Sequence, residues 1–212
     1  MAYDLQEQES IDQLKAWWEK WGTPITAVVC AGCLAFAGWN GWQWWKRNEA
    51  AKAAGAYMAL QQAAMANDAK NIASLSNGLL ESYGSTVYAP LGALVASKAA
   101  LAAGNLDDAA AKLKWIVDQS GRPEFDTIAR VRLAGIYFDA GKLDDAIAVL
   151  DGAKPTERQN SLVLDRRGDV LAAKGDVKGA RECWMKVLEA PYRGDPILKV
   201  VEYKLNALPA VQ

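Results

Sequence analysis

The sequence predicts an all-α protein, a single N-terminal transmembrane helix followed by an α-solenoid. Three observations predict it. Residues 21–45 carry no formal charge. Past residue 46, apolar residues recur at helical spacing with no alternating β-branched run. A glycine-centred phrase then returns three times at nearly constant spacing.

The apolar segment comes first. A helix rising 1.5 Å per residue needs about 20 apolar residues to cross roughly 30 Å of hydrocarbon, and the uncharged run between Lys20 and Lys46 is 25 residues long. Trp17, Trp18 and Trp21 stand before it and Trp39, Trp42, Trp44 and Trp45 at its far end, seven of the nine tryptophans in the chain. Indole rings favour the headgroup layer on both sides of a bilayer, which makes these seven the membrane-interface candidates. Two cleaved alternatives have partial support, since Ala35-Phe36-Ala37 mimics a signal-peptidase site and Ala31-Gly32-Cys33 the end of a lipobox. Both require a short basic leader. The leader is 20 residues long and holds Asp4, Glu7, Glu9, Asp12 and Glu19 against Lys15 and Lys20, so a retained anchor is predicted. The expected division is 1–21 as a tail, 22–45 as the transmembrane helix and 46–212 as a water-soluble domain.

Composition narrows the chemistry. The chain has no histidine, which removes the commonest general base, nucleophile activator and zinc ligand. Neither a Walker-type loop nor Gly-x-Ser-x-Gly occurs. Neither a catalytic residue nor a cofactor or metal site is expected. Cys30 and Cys33 read as small apolar residues of the span, leaving Cys183 as the only cysteine beyond it. A net charge of −1 with dispersed Lys and Arg is unlike a nucleic-acid footprint, where basic residues cluster.

The recurring phrase reads Ala103-Gly104-Asn105-Leu106-Asp107-Asp108-Ala109, then Ala140-Gly141-Lys142-Leu143-Asp144-Asp145-Ala146, then Lys174-Gly175-Asp176-Val177-Lys178-Gly179-Ala180. Its glycines are 37 and 34 residues apart. A period of 34 is that of the tetratricopeptide repeat, in which two antiparallel helices form a hairpin and hairpins stack. The glycine suits the left-handed end of a first helix, a nearby Asp or Asn suits the N-cap of a second, and the alanine is small where the two meet. With the glycine at position 15, position 8 is Ser97, Ala134 and Gly168, position 11 is Ala100, Tyr137 and Leu171, and position 24 is Leu113, Leu150 and Trp184. The paired carboxylates Asp107-Asp108 and Asp144-Asp145 are explained as helix capping rather than acid–base chemistry. Upstream, residues 50–83 can hold one more hairpin, with Asn67 lying 37 residues before Gly104. Downstream, Pro191, Gly194 and Pro196 interrupt the pattern, and residues 197–207 are expected to form a terminal helix over the last hairpin.

Arrays of this kind bind proteins or peptides in a groove lined by the first helix of each hairpin. The register offers Leu91, Leu94, Lys98 and Leu101, then Ile128, Val131, Phe138 and Asp139, then Leu162, Asp165, Asp169 and Ala172. Lys98, Phe138, Asp139, Asp165 and Asp169 are the partner-binding candidates.

The layout also resembles one family. Leu14-Lys15-Ala16-Trp17-Trp18 in an acidic tail, a span ending Gly41-Trp42-Gln43-Trp44-Trp45-Lys46, and Asp165-Arg166-Arg167-Gly168-Asp169 followed by Lys174-Gly175-Asp176 and Lys178-Gly179-Ala180-Arg181 together resemble the YfgM family. That resemblance implies a single-pass protein of the bacterial inner membrane with a cytoplasmic N-terminus and a periplasmic repeat domain. It also implies an ancillary subunit of the SecYEG translocon that acts with a PpiD-like periplasmic chaperone on exported polypeptides. Basic residues flanking the span, Lys15 and Lys20 against Lys46, Arg47 and Lys52, lean towards the reverse topology. From the residues alone, a scaffold or assembly factor of the cell envelope would use the same groove.

Overall fold

The computed structural model describes residues 2–189 and 196–209, among which every regular element is a helix. It divides into two units, Met1–Glu49 and Ala50–Gln212, and helix α1 (Ala2–Met65) contributes residues to both.

In the first unit, α1 carries the uncharged run and is long and apolar enough to cross a membrane. Ile25, Val28, Val29, Leu34 and Phe36 are all exposed, so the segment has no core of its own to enter. Pro24 lies inside the helix and supplies no backbone N–H to its ladder. Two residues on, Thr26 Oγ1 donates to the Gly22 carbonyl at 2.7 Å. The Trp18 indole covers Gly22 so closely that a Cβ there would sit 2.9 Å from Cε2. The span's polar amide at Asn40 donates one N–H to the Phe36 carbonyl at 2.9 Å, a bond made within the helix.

In the second unit, residues 50–65 of α1 pack against α2 (Ala69–Tyr83), followed by the hairpins α3 (Tyr88–Ala102) with α4 (Leu106–Gln119), α5 (Pro123–Asp139) with α6 (Leu143–Asp151) and α7 (Glu157–Ala173) with α8 (Val177–Leu188). Helix α9 (Pro196–Ala207) comes last. Gly104, Gly141 and Gly175 adopt φ of 78°, 72° and 85°, as the phrase predicts. Each turn closes with the same pair of backbone bonds, for instance Asn105 N–H to the Ala100 carbonyl at 2.9 Å and Gly104 N–H to Leu101 at 3.0 Å. Asn67 takes the glycine's place upstream at φ 53° and makes the equivalent bonds, Asp68 N–H to Ala63 at 3.0 Å and Asn67 N–H to Ala64 at 3.2 Å. Residues 50–83 therefore form a hairpin with the same turn as the repeats.

The N-caps require a correction. The side chains that accept the first-turn N–H groups are Asp68, Asn105 and Asp176, from Asn71, Asp108 and Gly179 respectively. Asp107-Asp108 and Asp144-Asp145 lie just past the caps, in the first turn, where a negative charge meets the positive end of the helix dipole. At α6 the cap position is Lys142 and no side chain caps it.

The hydrophobic core is a succession of small clusters, each shared by neighbouring helices. Ala53, Leu60, Ile72 and Leu79 meet Ala96 of α3. Ala93 and Ala100 meet Leu113, Ile116 and Leu133 across α3, α4 and α5. Ala134, Leu150 and Val170 join α5, α6 and α7. Ala180, Trp184 and Val187 join Val201 of α9. Nearest-neighbour cores of this kind make a solenoid's stability a chain of local interfaces. Positions 8, 20 and 24 are buried in all three repeats, as the register requires. At Gly168 the reason is visible, because a Cβ would stand 2.7 Å from both Cδ1 and Cε2 of Trp184, whose Nε1 donates to the Asp165 carbonyl at 3.2 Å. The predicted terminal helix begins with Pro196, a favourable first residue because its missing N–H would be unpaired anyway. Pro191 and Gly194 lie outside the described residues.

Candidate partner-binding face

The first helices of successive hairpins present their position 9 on one face, and the sequence places Gln61, Lys98, Gly135 and Asp169 there. The four residues have different surroundings. Lys98 is exposed and makes no ion pair among the described residues. With Gln61, Met65, Ile72 and Val95 it borders a cleft of about 560 Å³ between residues 61–72 and α3. Ala99, Ala102 and Ala103 form part of the wall, and their short side chains give the cleft its depth.

At Gly135 the nearest side chain comes from a neighbouring helix. A Cβ there would lie 3.7 Å from Cζ and Nη2 of Arg166, so the guanidinium packs beside it at ordinary contact distance. Arg166 also reaches Asp169 at 3.6 Å.

Asp169 and Asp165 depart most from the sequence-based expectation of an open, charged groove. Lys204 of α9 places its Nζ 2.6 Å from Oδ1 of each, and the two carboxylates are only 19% and 16% exposed. Their partner is the chain's own last helix. The same ammonium lies 5.7 Å from the Trp184 ring centroid, within the range of a cation–π attraction. Burial pushes the Asp169 carboxyl above the usual carboxylate range, while its hydrogen bond with Lys204 pulls the other way. Nothing in the repeat phrase points to Lys204, because α9 lies outside the period. Gln61, by contrast, is recoverable by stepping back 37 residues from Lys98.

The other two candidates separate. Asp139 is exposed at the end of α5. Phe138 is partly buried against the cluster containing Ala134, Leu150 and Val170, so most of its ring is packing.

In the first unit, all seven flanking tryptophans are exposed, from 46% at Trp42 to 65% at Trp44. Lys20 lies 6.0 Å from the Trp21 ring and Lys46 3.7 Å from the Trp42 ring, so each boundary lysine rests near an indole. Twenty-one residues separate those two rings in sequence, about 32 Å of α-helix.

The chain is 29% identical over 208 residues to a Haemophilus influenzae protein named ancillary SecYEG translocon subunit, covering 98% of this chain and 100% of that one. Proteins of the same name from Aggregatibacter actinomycetemcomitans and Neisseria gonorrhoeae are 28% and 26% identical, again over 98% of this chain and 100% of theirs. The resemblance to the YfgM family drawn from the sequence is shown by these relatives. A solved tetratricopeptide repeat protein from Parabacteroides merdae superposes with a TM-score of 0.48 at 20% identity, over 73% of this chain and 56% of that one. The family model described as a tetratricopeptide repeat-like domain matches residues 15–210, and the chain belongs to that family.

Proposed function

We propose that this chain is a non-catalytic, single-pass adaptor of the Sec translocon in the bacterial inner membrane, with its N-terminus in the cytoplasm and its repeat domain in the periplasm. Its partners on this reading are SecYEG, a PpiD-like periplasmic chaperone and exported polypeptides leaving the translocon. The observation that carries the reading is the extent of the likeness. The alignments with proteins named ancillary SecYEG translocon subunit run through 98% of this chain, taking in the apolar helix and the repeats together. The span docks on the translocon, and the exposed part of the repeat face, with Lys98 and Asp139, receives the soluble partner.

Photo-crosslinkers placed one at a time from Ile25 to Trp42 in native membranes should capture translocon subunits. Capture of lipid and of a second copy alone would overturn the docking. Topology needs a new thiol, because Cys183 is buried and its burial pushes the thiol pKa up. Asp139→Cys supplies an exposed one. A membrane-impermeant maleimide should label it in intact spheroplasts, and labelling only after lysis would reverse the assigned topology.

A further inference from the structure

The cleft between residues 61–72 and α3 has a definite chemistry. Its wall is chiefly apolar, with Met65, Ile72, Val95 and Ala102, and Met65 is 81% exposed at its edge. An unbranched, polarisable methionine adapts to differing apolar side chains. The charge at the rim is Lys98, and Gln61 stands at the equivalent position of the preceding hairpin. Neighbouring helices lie about 8–10 Å apart and an extended strand advances about 3.3 Å per residue. A peptide crossing both helices therefore presents residues about three apart to Gln61 and to Lys98.

The other end of the same face supplies the charge rule. Position 9 of the third repeat is Asp169, and the chain covers it with an oppositely charged side chain, Lys204, on a segment whose apolar residues enter the adjoining core. Lys98 occupies the corresponding position with the opposite sign.

We propose that this cleft takes an extended polypeptide segment in which a large apolar residue stands within about three residues of a carboxylate, the spacing set by the helix separation. The apolar side chain enters between Met65, Ile72, Val95 and Ala102, and the carboxylate meets Lys98. The inference rests on the reading of the repeat face as a partner-binding surface, and narrows it to one place and one class of ligand.

The test uses the full chain in lipid nanodiscs and three fluorescent ten-residue peptides on a Gly/Ser background. One carries Leu-Phe followed by two glutamates, the second has lysines for the glutamates, and the third has serines for Leu-Phe. Fluorescence anisotropy should show the first binding about tenfold more tightly than either of the others, the size of one rim charge or one buried side chain. Lys98→Glu should reverse the preference between the acidic and basic peptides, and Met65→Glu should weaken the acidic one about tenfold. Both residues are exposed, and an unchanged melting temperature shows that each variant is folded. An acidic preference that survives Lys98→Glu overturns the proposal, as does binding indifferent to Met65→Glu. Binding lost only on Asp139→Lys would place the peptide elsewhere on the face, so that the general reading stands and this cleft falls. Absence of peptide binding, with self-association that Met65→Glu abolishes, would assign the cleft to a second copy and also overturn it. Translocon crosslinking from the span is read independently of all these outcomes.

Discussion

The hairpin of residues 50–83 with α3 and the third repeat with α9 are built on the same turn, yet one leaves its position-9 charge open and the other covers it. Lys98 stands exposed at the rim of an apolar cleft. Asp169 and Asp165 hold Lys204 between them beneath a helix that also inserts Val201 into the core. The contrast teaches that the repeat register sets where a side chain points, while the next element along the stack decides whether it is surface or core. A charge that neighbours cover becomes part of the stability of the fold. One left open remains free to act on something else.

The largest expected effect breaks the covered region from within. Gly168→Leu drives a side chain into the Trp184 indole, a buried ring that also donates to the Asp165 carbonyl, and should cost about 3 kcal/mol by overpacking. Chemical denaturation of the full chain in detergent measures it, and an unchanged midpoint would remove the register of the third repeat.

Lys204→Met keeps the stem and removes the charge, leaving two half-buried carboxylates side by side. Unpairing them should cost about 2 kcal/mol, below the figure for fully buried pairs because water reaches part of the site. The same denaturation series should show Lys98→Met within about 0.5 kcal/mol of the parent, as for an exposed residue with no ion pair among the described residues. Equal losses at the two positions would dissolve the contrast.

The turns offer a smaller comparison. Gly175→Val forces a β-branched residue to φ 85° and should destabilise by about 1 kcal/mol or more. Asn67→Gly relaxes the equivalent turn, at φ 53°, and should change stability by only a few tenths of a kcal/mol. Thermal melts of the two variants side by side decide this.

The smallest effect is a pH dependence. Burial raises the Asp169 pKa, so the folded chain holds that proton more tightly than the unfolded one. The stabilising share is full below the ordinary carboxylate range and is lost as pH rises through the raised folded value. Asp169→Asn abolishes this titration, so its melting temperature should gain on the parent's from about pH 4 upward. A gap between variant and parent that stays constant over that range would mean Asp169 titrates normally.

Much of the architecture was legible because it depends on local spacing. The uncharged run with its tryptophans marked the apolar helix, and Gly104, Gly141 and Gly175 marked the turns, since few other residues accept their backbone conformation. From one glycine the period placed Ala109, Ala146 and Ala180 and the partners at positions 8 and 24, all of which are buried. Capping was less legible. Asp107-Asp108 stand out as a pair, but the hydrogen bond is made by Asn105, because a cap is set by backbone geometry two or three residues ahead of the N–H it accepts.

The candidate face divides along the same line. The sequence by itself determined the helices, the repeat and which residues share position 9, because a 3.6-residue turn and a fixed period suffice for that. Only the tertiary structure decided that Asp165 and Asp169 are engaged by Lys204, that Arg166 packs beside Gly135, and that Lys98 stays open beside Met65. Each of those outcomes depends on a side chain from another helix, brought in by packing between segments 31 to 39 residues apart in the chain. No local pattern encodes such a meeting.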